Sequence, residues 1–243
     1  MAQKNALVTG GTGSIGEAIV RQLVEAGYET TFQYATNEDE ASRISRSTGA
    51  HPMRLDLRSS ALPCPMIFDI LINSAAISEA KNLVHDTTES ELREHMEINL
   101  VGAFRLIRAC LPHMVEQRWG RIVNIGSIYS LRGSTRNVSY NVSKHALSGL
   151  TKSVALDYAE HGITCNEVCP SAVDSRMMWR IANDKQNEGG PSQVEFLHAV
   201  EQANPTGRMA RPNEVAATVV YLLSDAAAFT NGTSIPVDGG QIA

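Results

Sequence analysis

The sequence predicts an α/β fold, a doubly wound parallel sheet with helices on both faces, and three observations carry that prediction. An apolar run, Ala6 to Val8, passes straight into T-G-G-T-G-S-I-G and then into an amphipathic run, Glu17 to Ala26. Short β-rich runs then alternate with helical patterns to the end of the chain. Finally, a strand-like run, Arg121 to Ile125, leads to Ser127, and beyond it Tyr140 and Lys144 stand four apart, on one face of a helix.

The first of these is the strand, glycine turn and helix of a dinucleotide site. Gly11, Gly13 and Gly16 satisfy G-x-G-x-x-G in the required context: glycines allow the tight turn and close pyrophosphate approach, and the new helix points its free N–H groups at the anion. The second strand is expected at Glu29 to Tyr34. NAD sites usually place an Asp or Glu at its end for the ribose 2′-hydroxyl, whereas Gln33 and Tyr34 stand here. The missing acid favours NADP(H) over NAD(H). Against it, the glycine turn offers no Arg or Lys, and Glu38, Asp39 and Glu40 would repel a 2′-phosphate.

The third observation is proton-transfer chemistry. A free tyrosine holds its proton with a pKa of ~10; an ammonium one turn away favours the phenolate and should lower that value. Ser127 can hydrogen-bond the oxygen that exchanges a proton with Tyr140, so the trio points to a carbonyl or alcohol substrate.

These stretches, with Asp56 after the third strand, N-S-A-A at Asn73 to Ala76, Asn99 in M-E-I-N-L-V-G-A-F, P-S-A-V-D-S-R-M from Pro170 and V-D-G-G at Val237 to Gly240, occur in one order. In that order they resemble the short-chain dehydrogenase/reductase family along essentially the whole chain, particularly its 3-oxoacyl-ACP-reductase-like members. The resemblance implies a Rossmann-type sheet of strand order 3-2-1-4-5-6-7. It implies NADPH-dependent reduction of a ketone such as a 3-oxoacyl thioester, with Asn99, Ser127, Tyr140 and Lys144 catalytic. It implies cofactor contacts from Gly10, Thr12, Gly13, Ser14, Ile15, Gly16, Thr36, Asp56, Leu57, Asn73, Ala75, Tyr140, Lys144, Pro170, Val173 and Ser175. Asn99 would link Lys144 through water to a proton relay, and the chain would form a tetramer or dimer. Two rivals are an NAD-dependent alcohol dehydrogenase running the oxidation and a non-catalytic dinucleotide-binding regulator.

The chain departs from the family pattern twice. Short members space the turn T-G-x-x-x-G-x-G, which would put glycine at Ser14; this chain has T-G-x-x-G-x-x-G. After the third strand, His51 to Leu55, only R-S-S-A-L-P-C-P-M-I separates Leu57 from a fourth strand beginning near Phe68. Pro63 and Pro65 forbid a regular helix there, so the crossover is expected to be a turn or extended strap that leaves one face thinly covered.

The remaining elements follow from periodicity. Thr88 to Cys110 reads as one long helix with Asn99 on its mostly apolar face. Asn73 is equally well a buried amide joining strands. Strand six is expected at Ile163 to Cys169, a helix at Pro212 to Leu223 and a last strand near Thr233 to Val237. A segment at about 177–204, broken by Gly189 to Pro191, has the look of a substrate lid.

Length and 43% hydrophobic content suit one domain over 1–243. With 21 basic and 26 acidic residues and no block of like charge, there is no electrostatic footprint for nucleic acid, so a small molecule is the expected partner. No apolar run is read as a membrane span and no leader as preceding the first strand, so a cytoplasmic location is expected. The four cysteines read as thiols, Cys165 and Cys169 buried on one strand face, and the seven histidines lack zinc spacing, so no metal is expected.

Overall fold

A computed structural model describes residues 3–59, 66–78 and 82–243. Seven parallel strands form one sheet of order 3-2-1-4-5-6-7, as expected: β1 Asn5–Val8, β2 Glu29–Tyr34, β3 His51–Arg54, β4 Ile70–Asn73, β5 Gly120–Ile125, β6 Ile163–Pro170 and β7 Ser234–Val237. Eight α-helices accompany them: α1 Ser14–Glu25, α2 Glu38–Thr48, α3 Glu89–Met96, α4 Gly102–Gln117, α5 Val138–Tyr158, α6 Arg176–Asn187, α7 Gln193–Gln202 and α8 Pro212–Leu223.

Strand alternation divides the core in two. Ala6 and Val8, Ile70 and Ile72, and Val123 and Ile125 face a cluster with α1, α2 and α8, whereas Leu7, Leu71 and Ile122 face one with α4 and α5. The central strands are therefore apolar on both faces, which is why they read as continuous hydrophobic runs.

The long helix is not continuous in geometry. A π turn, Glu97–Val101, joins α3 to α4 and holds the buried Asn99. Taken together, Glu89–Gln117 spans 29 residues with a best window of mean hydropathy 1.2, enough by length and composition for a membrane crossing. Here its apolar stripe, Leu106, Ile107, Cys110, Leu111 and Met114, packs into the second core cluster.

The shortened crossover falls largely on residues 60–65, outside the described residues. Its described ends, Leu57 and Met66, are buried in the second cluster. Thr31 and Met53, on the same face of the sheet, are partly buried, and Met53 packs against the second cluster. The segment at 177–204 contains α7 and most of α6, which share a small core of Ala182, Leu197 and Met209. Its break at Gly189 to Pro191 separates the two helices.

Candidate active site

The glycine turn sits at the carboxyl end of β1, where strand order reverses between β1 and β4. Gly16 is sterically required: a Cβ there would lie 2.2 Å from the Gly10 carbonyl oxygen. The N-cap of α1 is Gly13, with no side-chain cap, so the first N–H groups of the helix remain available to an anion. A cleft of about 500 Å³ opens over this terminus. Gly10, Thr12, Gly13, Ser14, Ile15, Gly16, Thr36, Asp56, Leu57, Ala75 and Ser175 all line it. A cleft lined by the glycine turn and the uncapped first N–H groups of α1 fits a dinucleotide pyrophosphate.

Asn73 does not line the cleft. Its Nδ2 donates to Asn124 Oδ1 on β5 at 2.8 Å, the strand-joining role, while its Oδ1 is buried without a partner. Pro170 ends β6, and the buried Val173 forms an isolated parallel bridge with Ala210. Thr9 Oγ1 accepts from Ser74 and Ala75 N–H at 2.9 and 3.0 Å, fixing the β4 end against the glycine turn.

Gln33, at the place of the missing acid, is turned inward. Its Oε1 accepts from Gly10 N–H at 2.9 Å and its Nε2 donates to the Leu55 carbonyl at 2.5 Å. The position clamps β1, β2 and β3 together, and Ala35, Thr36 and Asn37 after β2 are exposed at the cleft rim.

Basic groups absent from the glycine turn arrive from elsewhere. The Arg176 guanidinium pairs with Glu40 and donates to the Thr12 carbonyl at 2.7 Å, and Arg43 bonds Glu17 at 2.6 Å and Glu40 at 2.8 Å. These arginines hold the Glu40 carboxyl down to about 2 against a smaller desolvation effect. The acidic first turn of α2 is thus partly neutralised: Arg43 stands three residues from Glu40 on the same helix, whereas Arg176 arrives from a distant segment that sequence spacing did not reveal.

Across the sheet, Ser127 follows β5, and Tyr140 and Lys144 project from α5. Ser127, Lys144 and Asn99 are buried, and Tyr140 is half-buried with its hydroxyl desolvated. Lys144 Nζ donates to the Ile125 carbonyl at 2.7 Å and lies 5.5 Å from the Tyr140 ring centroid. Asn99 Oδ1 accepts from Ile77 N–H at 2.8 Å. Its Nδ2 donates to the Ile77 carbonyl and to Ser143 Oγ, each at 3.0 Å, so its amide meets α5 beside Lys144.

One electrostatic expectation is corrected. Tyr140 is not depressed: desolvation pushes it up to about 12, and its hydrogen bond with Ser127 opposes that rise. Lys144 is itself brought down to about 8 by burial, and its ammonium is spent on the Ile125 carbonyl rather than aimed at the phenol. Sequence reading missed Glu167, which is fully buried in β6 and accepts hydroxyls from Ser130, Ser148 and Ser234. An acid inside an apolar strand was the available signal.

Cys110, Cys165 and Cys169 are buried thiols. Burial raises the Cys165 thiol and pushes Cys169 up to about 12, so both behave as small apolar groups. Among the described residues no three His, Cys, Asp or Glu side chains converge as a metal site.

A parallel sheet of this order, with its glycine turn and the Ser127, Tyr140 and Lys144 constellation, defines a dinucleotide-dependent oxidoreductase fold. The chain belongs to the short-chain dehydrogenase/reductase family, and it is an oxidoreductase acting on CH–OH or C=O groups. A family profile described as Enoyl-(Acyl carrier protein) reductase matches residues 66–241, and one described as Polysaccharide biosynthesis protein matches residues 6–119. The chain is 34% identical over 245 residues to an acetoacetyl-CoA reductase of Rhizobium meliloti (strain 1021), covering 97% of each. It is 34% identical over 250 residues to the 3-oxoacyl-acyl-carrier-protein reductase FabG of Vibrio harveyi, covering 98% of this chain and 97% of that one. In structure it is similar to an actinorhodin polyketide ketoreductase variant with NADPH, at TM-score 0.91 and 30% identity, covering 98% of this chain and 97% of that chain.

Proposed function

We propose that the protein is an NADPH-dependent reductase of a ketone such as a 3-oxoacyl thioester. The observation that carries the reading is the Ser127, Tyr140 and Lys144 constellation, desolvated across from a cleft whose glycine turn fits a dinucleotide. When bound, NADPH supplies the hydride. Tyr140 Oη donates the proton to the substrate oxygen, and Ser127 Oγ hydrogen-bonds that oxygen and holds it near the phenol. Lys144, 5.5 Å from the Tyr140 ring centroid, binds the cofactor ribose beside the tyrosine. Asn99, tied to Ile77 and Ser143, keeps the β4 loop and α5 in register for proton resupply.

NADPH is preferred over NADH because Gln33 is committed to the interior and no carboxylate replaces it at Thr36. Asn37 caps α2 by accepting from Glu40 N–H, and Arg43 and Arg176 pair the nearby acids, which makes this rim tolerable to a 2′-phosphate. The reading takes residues 1–243 as one catalytic domain with 177–204 as the lid. It takes the protein as a cytoplasmic homo-oligomer, a tetramer or dimer, whose partner is a small carbonyl or alcohol.

The test is consumption of NADPH and NADH with acetoacetyl-CoA, other β-ketoacyl thioesters, cyclic ketones and quinones. Turnover of a ketone with NADPH supports the reading. Exclusive oxidation of an alcohol with NAD replaces it with the dehydrogenase, and tight cofactor binding without turnover moves the regulatory reading ahead.

A further inference from the structure

Glu167 is an acidic side chain buried inside the sheet. Every residue of β6 is buried, and Glu167 is 0% exposed. Among the described residues no Lys or Arg nitrogen pairs with it within salt-bridge distance, and the charge is met instead by hydroxyls. Ser130 Oγ donates to Oε1 at 2.7 Å, while Ser148 Oγ and Ser234 Oγ donate to Oε2 at 2.5 and 2.7 Å. Three converging donors are the pattern an acceptor-only carboxylate takes. An apolar residue would serve a scaffold at least as well, since buried charges commonly cost more in desolvation than they return. The arrangement therefore calls for a functional account.

Its partners supply one. Ser130 also accepts from Ser127 N–H at 3.2 Å, so one oxygen of Glu167 is two hydrogen bonds from the residue that holds the substrate oxygen. Ser148 lies one turn beyond Lys144 and two beyond Tyr140 on α5. Ser234 is the β7 residue paired with Glu167 in the sheet. Gly126 makes room between them: a Cβ at Gly126 would lie 2.1 Å from Glu167 Oε1. That glycine separates Ile125, whose carbonyl receives Lys144, from Ser127.

We propose that Glu167 is a positioning residue of the reductase site: its carboxylate fixes the Ser127 turn and the Tyr140 and Lys144 helix in one register. The inference rests on the reductase reading above. The titratable groups facing Lys144 and Tyr140 are Tyr129 on the turn after Ser127 and Glu167 and Cys169 on β6. Glu167 favours the charged form of Lys144 and the neutral form of Tyr140. Because those effects combine in a turnover profile, the Lys144 titration must be read directly.

The full chain contains five lysines, so protein labelled with carbon-13 at lysine Cε gives few NMR signals, and Lys144→Met assigns the one required. Glu167→Gln keeps the shape and removes the charge. It should lower the Lys144 midpoint by about one pH unit and ketone kcat by ~10-fold at neutral pH. Ser148→Ala keeps the charge and removes one tether; it should lower kcat by a smaller factor with the Lys144 midpoint in place. A folded Glu167→Gln protein with wild-type kcat and an unmoved Lys144 midpoint overturns the positioning role, as does a Ser148→Ala protein with wild-type kcat. If Glu167→Gln does not fold, Ser148→Ala and Ser130→Ala still decide it. A wild-type protein that reduces no ketone sinks the reductase reading instead, while the NMR titration stands independently of turnover.

Discussion

Ser14 Oγ accepts the backbone N–H of Arg176 at 3.0 Å, joining the glycine turn to the first residue of α6. The residue that breaks the family's glycine spacing therefore has a partner 162 positions away, and the Arg176 side chain adds the Thr12 carbonyl and Glu40 to the same junction. The segment that would cover the substrate is fastened to the loop that would hold the pyrophosphate.

Arg176→Ala should loosen this junction without unfolding the protein. The Arg176 side chain is 52% exposed, so its ion pairs are screened and contribute less than ~1 kcal/mol. The expected outcome is a Tm shift of at most a few degrees, on the order expected for ~1 kcal/mol, with faster release of NADPH in stopped flow. A large loss of Tm with unchanged release would contradict it.

Tyr140→Phe removes the proton donor and leaves the ring that packs edge-on to Tyr129, 6.4 Å between centroids. Ketone reduction should fall ~10²- to 10⁴-fold, the usual contribution of general acid catalysis. NADPH affinity, measured by fluorescence titration, should change little.

Lys144 is charged at the expense of stability. Its folded value, about 8, lies below the ordinary 10.5, so the cost is fully present below about 8 and fades as pH rises from there towards 10.5. Lys144→Met should therefore raise Tm at pH 7, by an amount offset in part by the lost bond to Ile125. That advantage should shrink across the same alkaline window, and activity should be lost at every pH. A Tm advantage that grew with pH would refute the sign.

Gln33 and Thr36 separate fold from cofactor choice. Gln33→Glu sets a carboxylate against the Leu55 carbonyl and should cost ~1–3 kcal/mol in urea unfolding, with little change in cofactor preference. Thr36→Asp, on the exposed rim, should shift preference towards NADH by at least ~10-fold in kcat/KM with stability nearly unchanged.

Much of this molecule was legible because its signals are local. The β2 bounds and the α8 bounds follow directly from periodicity and from Pro212 at the helix start. The glycine turn and the Tyr140 to Lys144 spacing depend on neighbours in sequence, and the cleft does gather the turn residues. What was not legible depends on long-range encounters. Arg176 reaches Glu40, and Arg43 reaches Glu17 on α1, only through folding, and Glu167 meets serines from three other elements. The sign of the Tyr140 shift was misjudged because spacing conveys proximity to a charge but says nothing of how much water has been removed.

The π turn at Glu97–Val101 acts as a phase shifter. It widens one turn so that Asn99 faces α5 while the stripe from Leu106 to Met114 still faces the sheet. Straightening this turn into a regular α-helix with every residue kept would rotate the halves against each other by roughly a quarter turn. Either the asparagine or the apolar stripe would then point the wrong way. A residue surplus to a regular helix is here what keeps both of its faces addressed to their partners.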